Sequence, residues 1–185
     1  MIFTISGPSG AGKTTLVKSF ISKNPSVKRV ITCTSRLPRE HEKEGEDYYF
    51  ITKEDFEEGK YEFIEKIIFD GNYYGTRKDS FSGDCIVVVD KKGAEKIKEV
   101  FGAKKVRTIY LMLSKEKALA RSKKRNNEVA NLVRQQEDEK RNLFDRNGYD
   151  CVINADRKKK EVLNDLIGYY ISQTFTPISR KEKNC

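Results

Sequence analysis

The sequence predicts an α/β fold built on a parallel β-sheet. Segments with strand and helix patterns alternate along the 185 residues, and such alternation favours a parallel sheet covered by helices. Residues 85–89 form a continuous apolar run, mostly β-branched, which is typical of a central strand buried on both faces. A glycine-rich loop separates the first predicted strand from the first predicted helix. The length favours a single domain.

The first part of the chain begins this alternation. Residues 1–5 are mostly apolar and predict a buried strand. The apolar positions of residues 13–23 recur on one helical face. Asn24 and Pro25 are expected to end that helix, and residues 27–33 predict a second short strand.

Residues 34–78 differ from the rest of the chain because they are rich in Tyr, Phe and Glu. Within this segment, residues 47–52 and 60–69 have strand composition, and the stretch GNYYG at 71–75 predicts a turn. We therefore expect a small inserted subdomain that is rich in β-structure.

The second half of the chain returns to alternating strands and helices. Ser114 is a predicted helix N-cap, although Lys117 stands where an ideal capping box has Glu. A polar tail is expected from Thr176 onward. The predicted elements are strands at 85–89, 106–113 and 149–153, and helices at 93–100, 115–125, 128–145 and 162–171.

Composition and charge restrict the class of protein. Hydrophobic residues make up 37% of the chain, and no apolar run approaches the ~20 residues that a membrane span needs. The N-terminus lacks the pattern of a signal peptide, so we expect a cytoplasmic protein with no membrane partner. The 4 cysteines form no C-x-x-C pair, which argues against a metal cluster. The net charge of +9 suits either a nucleic-acid binder or an enzyme for polyanionic small molecules, and charge alone does not decide between them.

The loop GPSGAGKT at residues 7–14 matches the phosphate-binding pattern G-x-x-x-x-G-K-[ST]. Glycines let successive backbone N–H groups curve around a phosphate, and the following helix directs its N-terminus at the same anion. Lys13 is expected at the β- and γ-phosphates, and Thr14 at Mg²⁺. A glycine-rich turn without this function is the alternative, but the flanking strand and helix favour nucleoside triphosphate binding. The predicted triphosphate-binding residues are Gly7, Ser9, Gly10, Ala11, Gly12, Lys13, Thr14 and Thr15.

Three further motifs follow this loop in order: TCTSRLPREHEKEGEDYYF, FIEKIIFDGNYYGT and VVVDKKG. With them the sequence strongly resembles guanylate kinases, and the similarity extends from about residue 2 to residue 156. The resemblance implies a P-loop NTPase three-layer α/β fold with an inserted GMP-binding subdomain and a helical lid. It divides a single domain, residues 1–185, into a core at 1–32, 79–120 and 135–175, a GMP-binding subdomain at 33–78, a lid at 121–134 and a tail at 176–185.

The first two of these motifs carry side chains that suit the phosphate of a nucleoside monophosphate. Arg36 and Arg39 flank Pro38 and can hold a doubly charged phosphate with their planar guanidinium groups. The resemblance places Tyr48 and Tyr74 at the same phosphate. Taken singly, arginines in a polar loop are often only solvated, and tyrosines in a strand usually pack. Their joint occurrence at the family spacing favours the functional interpretation.

Guanine presents N1–H and N2–H₂ donors that one carboxylate can accept as a pair, and Glu65 matches the family residue with that role. An outward strand position is the alternative for Glu65. Asp90 matches an aspartate that reaches the base and is also a candidate for Mg²⁺ through water, whereas Val88 replaces the first aspartate of the family's D-x-D pattern. The implied GMP-binding residues are Thr32, Arg36, Arg39, Tyr48, Glu65, Tyr74, Gly75, Thr76, Asp90 and Arg134.

The basic stretch KALARSKKRNNEVANLVR resembles the mobile lid of the family. Arg121 and Arg125 are four residues apart and share one helix face. Cations that close over the phosphates stabilise the charge that develops during phosphoryl transfer. A helix with a basic solvated face is the alternative. The implied catalytic residues are Lys13, Arg36, Arg121 and Arg134, and Arg125 and Asn154 are implied to bind ATP.

Together these features favour an enzyme that transfers the γ-phosphoryl group of ATP to GMP, and also to dGMP, with Mg²⁺ as cofactor. ATP and GMP are then its partners, nucleic acid is not, and we expect a monomer or a homodimer. A guanylate-kinase-like nucleotide- or protein-binding module with weak or no turnover is one alternative, against which Lys13 and Thr14 argue. A related small-molecule phosphate kinase is another, but such relatives lack the tyrosine and glutamate set of the base site.

Overall fold

The computed structural model describes residues 1–69, 71–123, 136 and 138–175. Strands and helices alternate around the larger sheet, whereas the inserted segment consists mainly of strands. In chain order the elements are β1 (Ile2–Ser6), α1 (Lys13–Lys23), β2 (Lys28–Arg29), β3 (Cys33–Thr34), β4 (Tyr49–Phe50), α2 (Lys53–Glu57), β5 (Phe63–Phe69), β6 (Asn72–Arg77), a 3₁₀ helix (Lys78–Ser80), β7 (Cys85–Val88), α3 (Lys91–Phe101), β8 (Val106–Met112), α4 (Lys115–Lys123), β9 (Cys151–Asn154) and α5 (Lys159–Thr174).

The larger sheet has five strands in the order β2-β7-β1-β8-β9, and all its pairings are parallel. The central strand β1 pairs with β7 through Ile2 and Cys85 and with β8 through Ile2 and Val106. All five residues of β1 are buried, as expected for a strand covered on both faces. The predicted α/β fold with a parallel sheet is therefore confirmed.

Helices cover both faces of this sheet and complete three layers. On one face, α1, α4 and α5 pack on alternate strand residues, and the rings of Phe3 and Phe20 meet the edge of Tyr170 at 5.5 and 5.4 Å. On the other face, Ile97 of α3 packs against Cys85 and Val87. The period of two in the strands explains how neighbouring apolar residues reach opposite layers. No described helix has both the length and the apolar character needed to cross a membrane.

The smaller sheet has four strands in the order β4-β3-β6-β5. Its β5–β6 pair is an antiparallel hairpin, in which Phe69 faces Asn72 across the turn. The ring of Phe56 from α2 stacks on Phe63 at 4.8 Å and on Tyr73 at 5.4 Å, and so covers one face of the hairpin. This sheet is the inserted β-rich unit that the composition of residues 34–78 predicts.

Two short predictions in this region are wrong. The stretch at 71–75 is not a turn as a whole, because β6 begins at Asn72 and runs through Tyr73 and Tyr74. Glycine is needed at position 75 of this strand because a Cβ there would lie 2.8 Å from the ring of Phe63 and 3.0 Å from the ring of Phe56. The predicted strand at 27–33 divides into β2 and β3, since the chain leaves the larger sheet after β2 and enters the smaller one at Cys33.

Helix boundaries also differ from the predictions. Asp90 is the N-cap of α3, so this helix begins two residues before the predicted start at 93. The helix predicted for 128–145 ends at 140 in the described part, and residues 141–144 form a turn. Asn142 has a left-handed φ of 50°, and the N–H groups of Asn142 and Leu143 donate to the carbonyl oxygens of Glu139 and Asp138, both at 2.9 Å. This pattern is a Schellman motif, which ends a helix sharply.

Candidate active site

The loop after β1 has the backbone shape of a phosphate cradle. Gly7, Gly10 and Gly12 have φ values of 142°, 84° and 85°, which L side chains rarely adopt. A Cβ at Gly7 would lie 2.5 Å from the carbonyl oxygen of Leu111 in β8, so the close approach of loop and strand also requires glycine. The helix α1 begins directly after this loop with Gly12 as its N-cap and without a side-chain cap. Its first N–H groups are therefore suited to an anion.

Two charged side chains contact this loop. The Nζ of Lys13 donates to the carbonyl oxygens of Gly7 at 2.6 Å and Pro8 at 2.9 Å. Asp138 is only 4% exposed, and its carboxylate accepts from the backbone N–H and the hydroxyl of Ser9, both at 2.9 Å. The Asp138 carboxylate thus accepts from a backbone N–H group of the kind that binds phosphate in such loops. The motifs of the sequence did not indicate Asp138.

A cavity of about 250 Å³, here called the acceptor cavity, lies between this loop and the smaller sheet. It joins side chains from β5, β6, the start of α3 and the loop before β4. The predicted site residues on its wall are Gly7, Ser9, Lys13, Thr32, Arg36, Arg39, Tyr48, Glu65, Tyr74, Gly75 and Asp90.

One part of this cavity, the phosphate end, is formed by Arg36, Arg39, Tyr48 and Tyr74. Glu42 organises it, because its carboxylate accepts from Nη2 of Arg36 at 2.8 and 2.9 Å and from the backbone N–H of Arg39 at 2.9 Å. Among the described residues, the buried Nε of Arg36 has no hydrogen-bond partner. Glu42 therefore fixes the guanidinium, and its Nε–H group is left as a hydrogen-bond donor for an anion.

Burial and charge also tune the groups at the phosphate end. Burial acts to raise the pKa of Glu42, but hydrogen bonds from Arg39 and Arg36 outweigh this effect and lower it. The carboxylate of Glu42 consequently stays charged and keeps its ion pair with Arg36. Burial raises the pKa of Tyr48, so its hydroxyl remains a donor near neutral pH.

The other part of the cavity, the base end, contains Glu65, Asp90 and Arg141. Thr76 is fully buried and donates its hydroxyl to Oε1 of Glu65 at 2.6 Å. Oδ1 of Asp90 accepts from the N–H of Gly93 at 2.8 Å, and Oδ2 pairs with Nη2 of Arg141. Removal from water raises the pKa of Glu65 to about 7, with a further increase from Asp90 and opposing effects of Thr76 and Arg141.

A second cavity of about 470 Å³, here called the donor cavity, lies on the other side of the loop, against α1, α4 and the start of α5. Arg121 of α4 donates to the carbonyl oxygens of Gly10 at 3.2 Å and Ala155 at 3.1 Å. Arg157 and Lys159 also line it, and neither was indicated by the sequence. The predicted site residues on its wall are Gly10, Ala11, Gly12, Thr15 and Arg121.

The remaining predicted residues lie outside both linings or outside the described chain. Thr14 lies in the first turn of α1, and Thr76 donates a hydrogen bond to Glu65. The side chain of Asn154 accepts from the N–H of Asp156 at 2.9 Å and lines neither cavity. Arg125 and Arg134 lie outside the described residues.

Comparisons with known proteins identify the family of the chain. A sequence model of the guanylate kinase family matches residues 2–170. The guanylate kinase of Clostridioides difficile is 39% identical over 108 residues, which are 54% of this chain and 53% of that protein. The guanylate kinase of Thiobacillus denitrificans is 35% identical over 109 residues, which are 55% and 52%. The chain thus spans about half the length of the curated relatives it matches.

Solved structures show the same fold. A guanylate kinase from Anaplasma phagocytophilum has a TM-score of 0.70 at 23% identity, over 96% of this chain and 87% of that one. A shikimate kinase from Acinetobacter baumannii has a TM-score of 0.50 at 12% identity, over 95% of both chains. At these identities the likenesses establish the fold alone. Because the family model covers most of the sequence, the chain belongs to the guanylate kinase family.

Proposed function

We propose that the chain transfers the γ-phosphoryl group of ATP to GMP and forms ADP and GDP. The observation that carries this proposal is the acceptor cavity, which joins Lys13 of the loop to the phosphate end and the base end. Arginine and tyrosine donors suit the phosphate of a nucleoside monophosphate. Carboxylates suit the N1–H and N2–H₂ donors of guanine. The charges on the wall therefore match the two ends of GMP.

The donor nucleotide would lie across the loop, with its base side in the donor cavity and its terminal phosphate toward the acceptor cavity. Lys13 and Ser9 line the acceptor cavity, whereas Gly10, Gly12 and Arg121 line the donor cavity. The loop is thus shared by both cavities, as direct transfer between two nucleotides requires. We propose Lys13, Arg36, Arg121 and Arg134 as the catalytic residues, and Arg125 and Asn154 as further ATP-binding residues.

Catalysis of this transfer needs no covalent intermediate on the protein. The two nucleotides are held in line, and cations stabilise charge on the transferring group. Arg36 would hold the acceptor phosphate from the side of the smaller sheet, and Lys13 would hold the donor phosphates from the loop. Exclusion of water then favours transfer over hydrolysis.

Mg²⁺ is the cofactor that this reaction implies. Thr14 offers a hydroxyl in the first turn of α1, directly after Lys13, and Mg²⁺ takes such an oxygen together with phosphate oxygens. Asp90 suits the ion less well, because both of its oxygens already accept hydrogen bonds from Gly93 and Arg141. When bound, Mg²⁺ would neutralise charge on the β- and γ-phosphates.

The proposal extends to the remaining expectations from the sequence. The assigned residues address base and phosphate and not the 2′-hydroxyl, so dGMP should also serve as acceptor. We keep the division into a core, a GMP-binding subdomain at 33–78 and a lid at 121–134 as part of the proposal. A cytoplasmic protein that acts as a monomer or homodimer on free nucleotides is likewise proposed.

A coupled assay of ADP release tests this function with GMP, dGMP, AMP, CMP and UMP as separate acceptors. We expect ADP release with GMP and dGMP and little with the other three. The variant Lys13→Ala should lose transfer while its circular dichroism spectrum is unchanged, since Lys13 contributes little to the core. ADP release that ignores the acceptor, or near-normal turnover by Lys13→Ala, would show that the proposed function is wrong.

A further inference from the structure

Arg141 reaches the base end of the acceptor cavity from a segment that the sequence motifs did not mark. It follows the last helical residue of the Schellman motif, so the backbone around it is fixed by the bonds of Asn142 and Leu143 to the preceding turn. Its Nη2 pairs with Oδ2 of Asp90, and both side chains are largely buried, with 21% and 12% exposed. Its guanidinium also lies 5.4 Å from the ring centre of Phe69 on the cavity wall.

The surroundings of Arg141 contain two carboxylates at short range. A Cβ at Gly93 would lie 3.3 Å from Oδ1 of Asp90 and 3.4 Å from Cγ of Glu65, so both acidic side chains lie next to Gly93 and close to each other. Two carboxylates in one partly buried site resist simultaneous ionisation. The groups that face Glu65 are Thr76 from β6, Asp90 from the start of α3 and Arg141 from the turn at 141–144. Of these three groups, only Arg141 is a cation.

We propose that Arg141 is a specificity-determining residue of the acceptor site, which fixes Asp90 and supplies the charge that lets Glu65 and Asp90 act together as carboxylates. This inference rests on the proposed function, because it concerns the base that the cavity selects. Arg141 acts through its two acidic neighbours, so it is a positioning residue.

The protonation state of Glu65 decides which base fits. As a carboxylate it offers only acceptors, which match the N1–H and N2–H₂ donors of guanine. A protonated Glu65 offers one donor and one acceptor, which match the N1 acceptor and the N6–H₂ donor of adenine. Loss of Arg141 should therefore weaken GMP and favour AMP in relative terms.

The direct test is the titration of the Glu65 side chain by carbon NMR in the protein without nucleotide, with Glu65→Gln used to assign the signal. In Arg141→Met we expect the midpoint to rise by about one unit from its value near 7, because an adjacent cation is lost. The charged fraction of Glu65 at pH 7 would then fall from about one half to about one tenth. Arg141→Gln, which keeps a hydrogen-bond donor without the charge, should behave alike if the Met variant does not fold.

Calorimetry with GMP and with AMP between pH 6 and pH 9 gives the consequence for binding. The ratio of the two affinities cancels the titration of the nucleotide phosphate. We expect the preference for GMP over AMP at pH 7 to fall about tenfold in Arg141→Met, because the ratio of charged to protonated Glu65 falls by that factor, and to rise again toward pH 9. Arg141→Lys keeps the charge and should restore most of the preference.

Lys91→Met is the matched control. It removes one cation from the first turn of α3, but Lys91 pairs with Asp145 at 2.7 Å and does not line the cavity. We expect this variant to match the unaltered protein. A Glu65 midpoint that stays in place in Arg141→Met, or moves equally in Lys91→Met, would overturn the proposal. If the unaltered protein binds neither nucleotide, the proposed function is wrong, and the Glu65 midpoint alone decides the role of Arg141.

Discussion

Glu65 is the residue whose ionisation most directly controls the proposed acceptor site. Its pKa of about 7 lies well above the ordinary 4.5, chiefly because the side chain is removed from water. Thr76 donates to one of its oxygens, which leaves acceptor sites on the carboxylate for a base. Small changes of pH near neutrality therefore change the number of acceptors in the cavity.

We predict that GMP affinity rises with pH through about 7, since only the charged form of Glu65 accepts both guanine donors. Below that pH, the affinity should fall by up to about tenfold per unit. Glu65→Gln should bind GMP about 5- to 150-fold more weakly at pH 8, which corresponds to an unmet donor at ~1–3 kcal/mol. Calorimetric titration of both proteins from pH 6 to pH 9 measures this difference.

Glu65→Gln is also the control for the nucleotide itself, whose phosphate titrates near pH ~6. Equal pH dependence in both proteins would contradict the assignment of Glu65 to the base.

The ionisation of Glu65 has the opposite effect on folding, because the stability of the fold decreases as the pH rises. Because its folded pKa is raised, its stabilising contribution is present below about 4.5 and is lost as the pH rises through about 7.

At the scale of elements, the segment at 138–144 contacts both the glycine-rich loop and the acceptor cavity. Asp138 holds Ser9 of the glycine-rich loop, and Arg141, three residues later, holds Asp90 at the start of α3. The Schellman motif fixes the spacing between these two side chains. One turn of chain therefore contacts both the glycine-rich loop and the acceptor cavity.

We predict that Asp138→Asn binds ATP about five- to tenfold more tightly. The carboxylate accepts from the Ser9 N–H and adds negative charge where the triphosphate would bind; bonds to charged groups contribute ~1.5–3 kcal/mol, against ~1 kcal/mol for the neutral bond that Asn keeps. Glu139→Gln removes the same charge from the next residue, which pairs instead with Lys115, and should leave the affinity unchanged. Calorimetry with a non-hydrolysable ATP analogue measures both variants. Weaker binding by Asp138→Asn would show that the contact supports the loop for ATP.

The smaller sheet depends on a glycine inside β6. A Cβ at Gly75 would lie 2.8 Å from Phe63 Cδ1, 3.0 Å from Phe56 Cε1 and 3.0 Å from the backbone oxygen of Glu65. We predict that Gly75→Ala lowers the free energy of unfolding by about 1–3 kcal/mol, as overpacking does. Gly168→Ala, in the exposed middle of α5 with open space around its Cα, should raise it by up to about 1 kcal/mol. Urea denaturation compares the two variants, and equal stabilities would refute the packing argument.

For the whole molecule, the two sheets place the acceptor cavity between a core and an inserted unit. A γ-phosphoryl group open to water would be hydrolysed, so closure should depend on both nucleotides. We predict a smaller radius of gyration with an analogue that links adenosine and guanosine through phosphates than without it. Small-angle scattering measures this change. Superimposable profiles at a saturation proven by calorimetry would mean that the protein does not close around its substrates.

Much of the fold, and many side chains of the acceptor cavity wall, could be predicted from the sequence because their signals are local. The apolar run at 85–89 and the alternation of elements indicated the parallel sheet, which the pairings of β1 confirm. The spacing of the glycines in the loop at 7–14 indicated a backbone that curves around a phosphate, and all three glycines have positive φ. The ordered motifs named side chains that the structure places on one cavity wall.

Only the tertiary structure revealed the contacts of Asp138 and Arg141. Ser9 and Asp138 are 129 residues apart, and Asp90 and Arg141 are 51 apart, so no spacing pattern joins them. The turn that aims Arg141 depends on the left-handed φ of Asn142, which the helical period of the preceding residues does not disclose. The strand at 72–77 likewise depends on partners in β3 and β5. Local composition determined the elements and the loop, whereas contacts between distant segments decided which charges meet in the site.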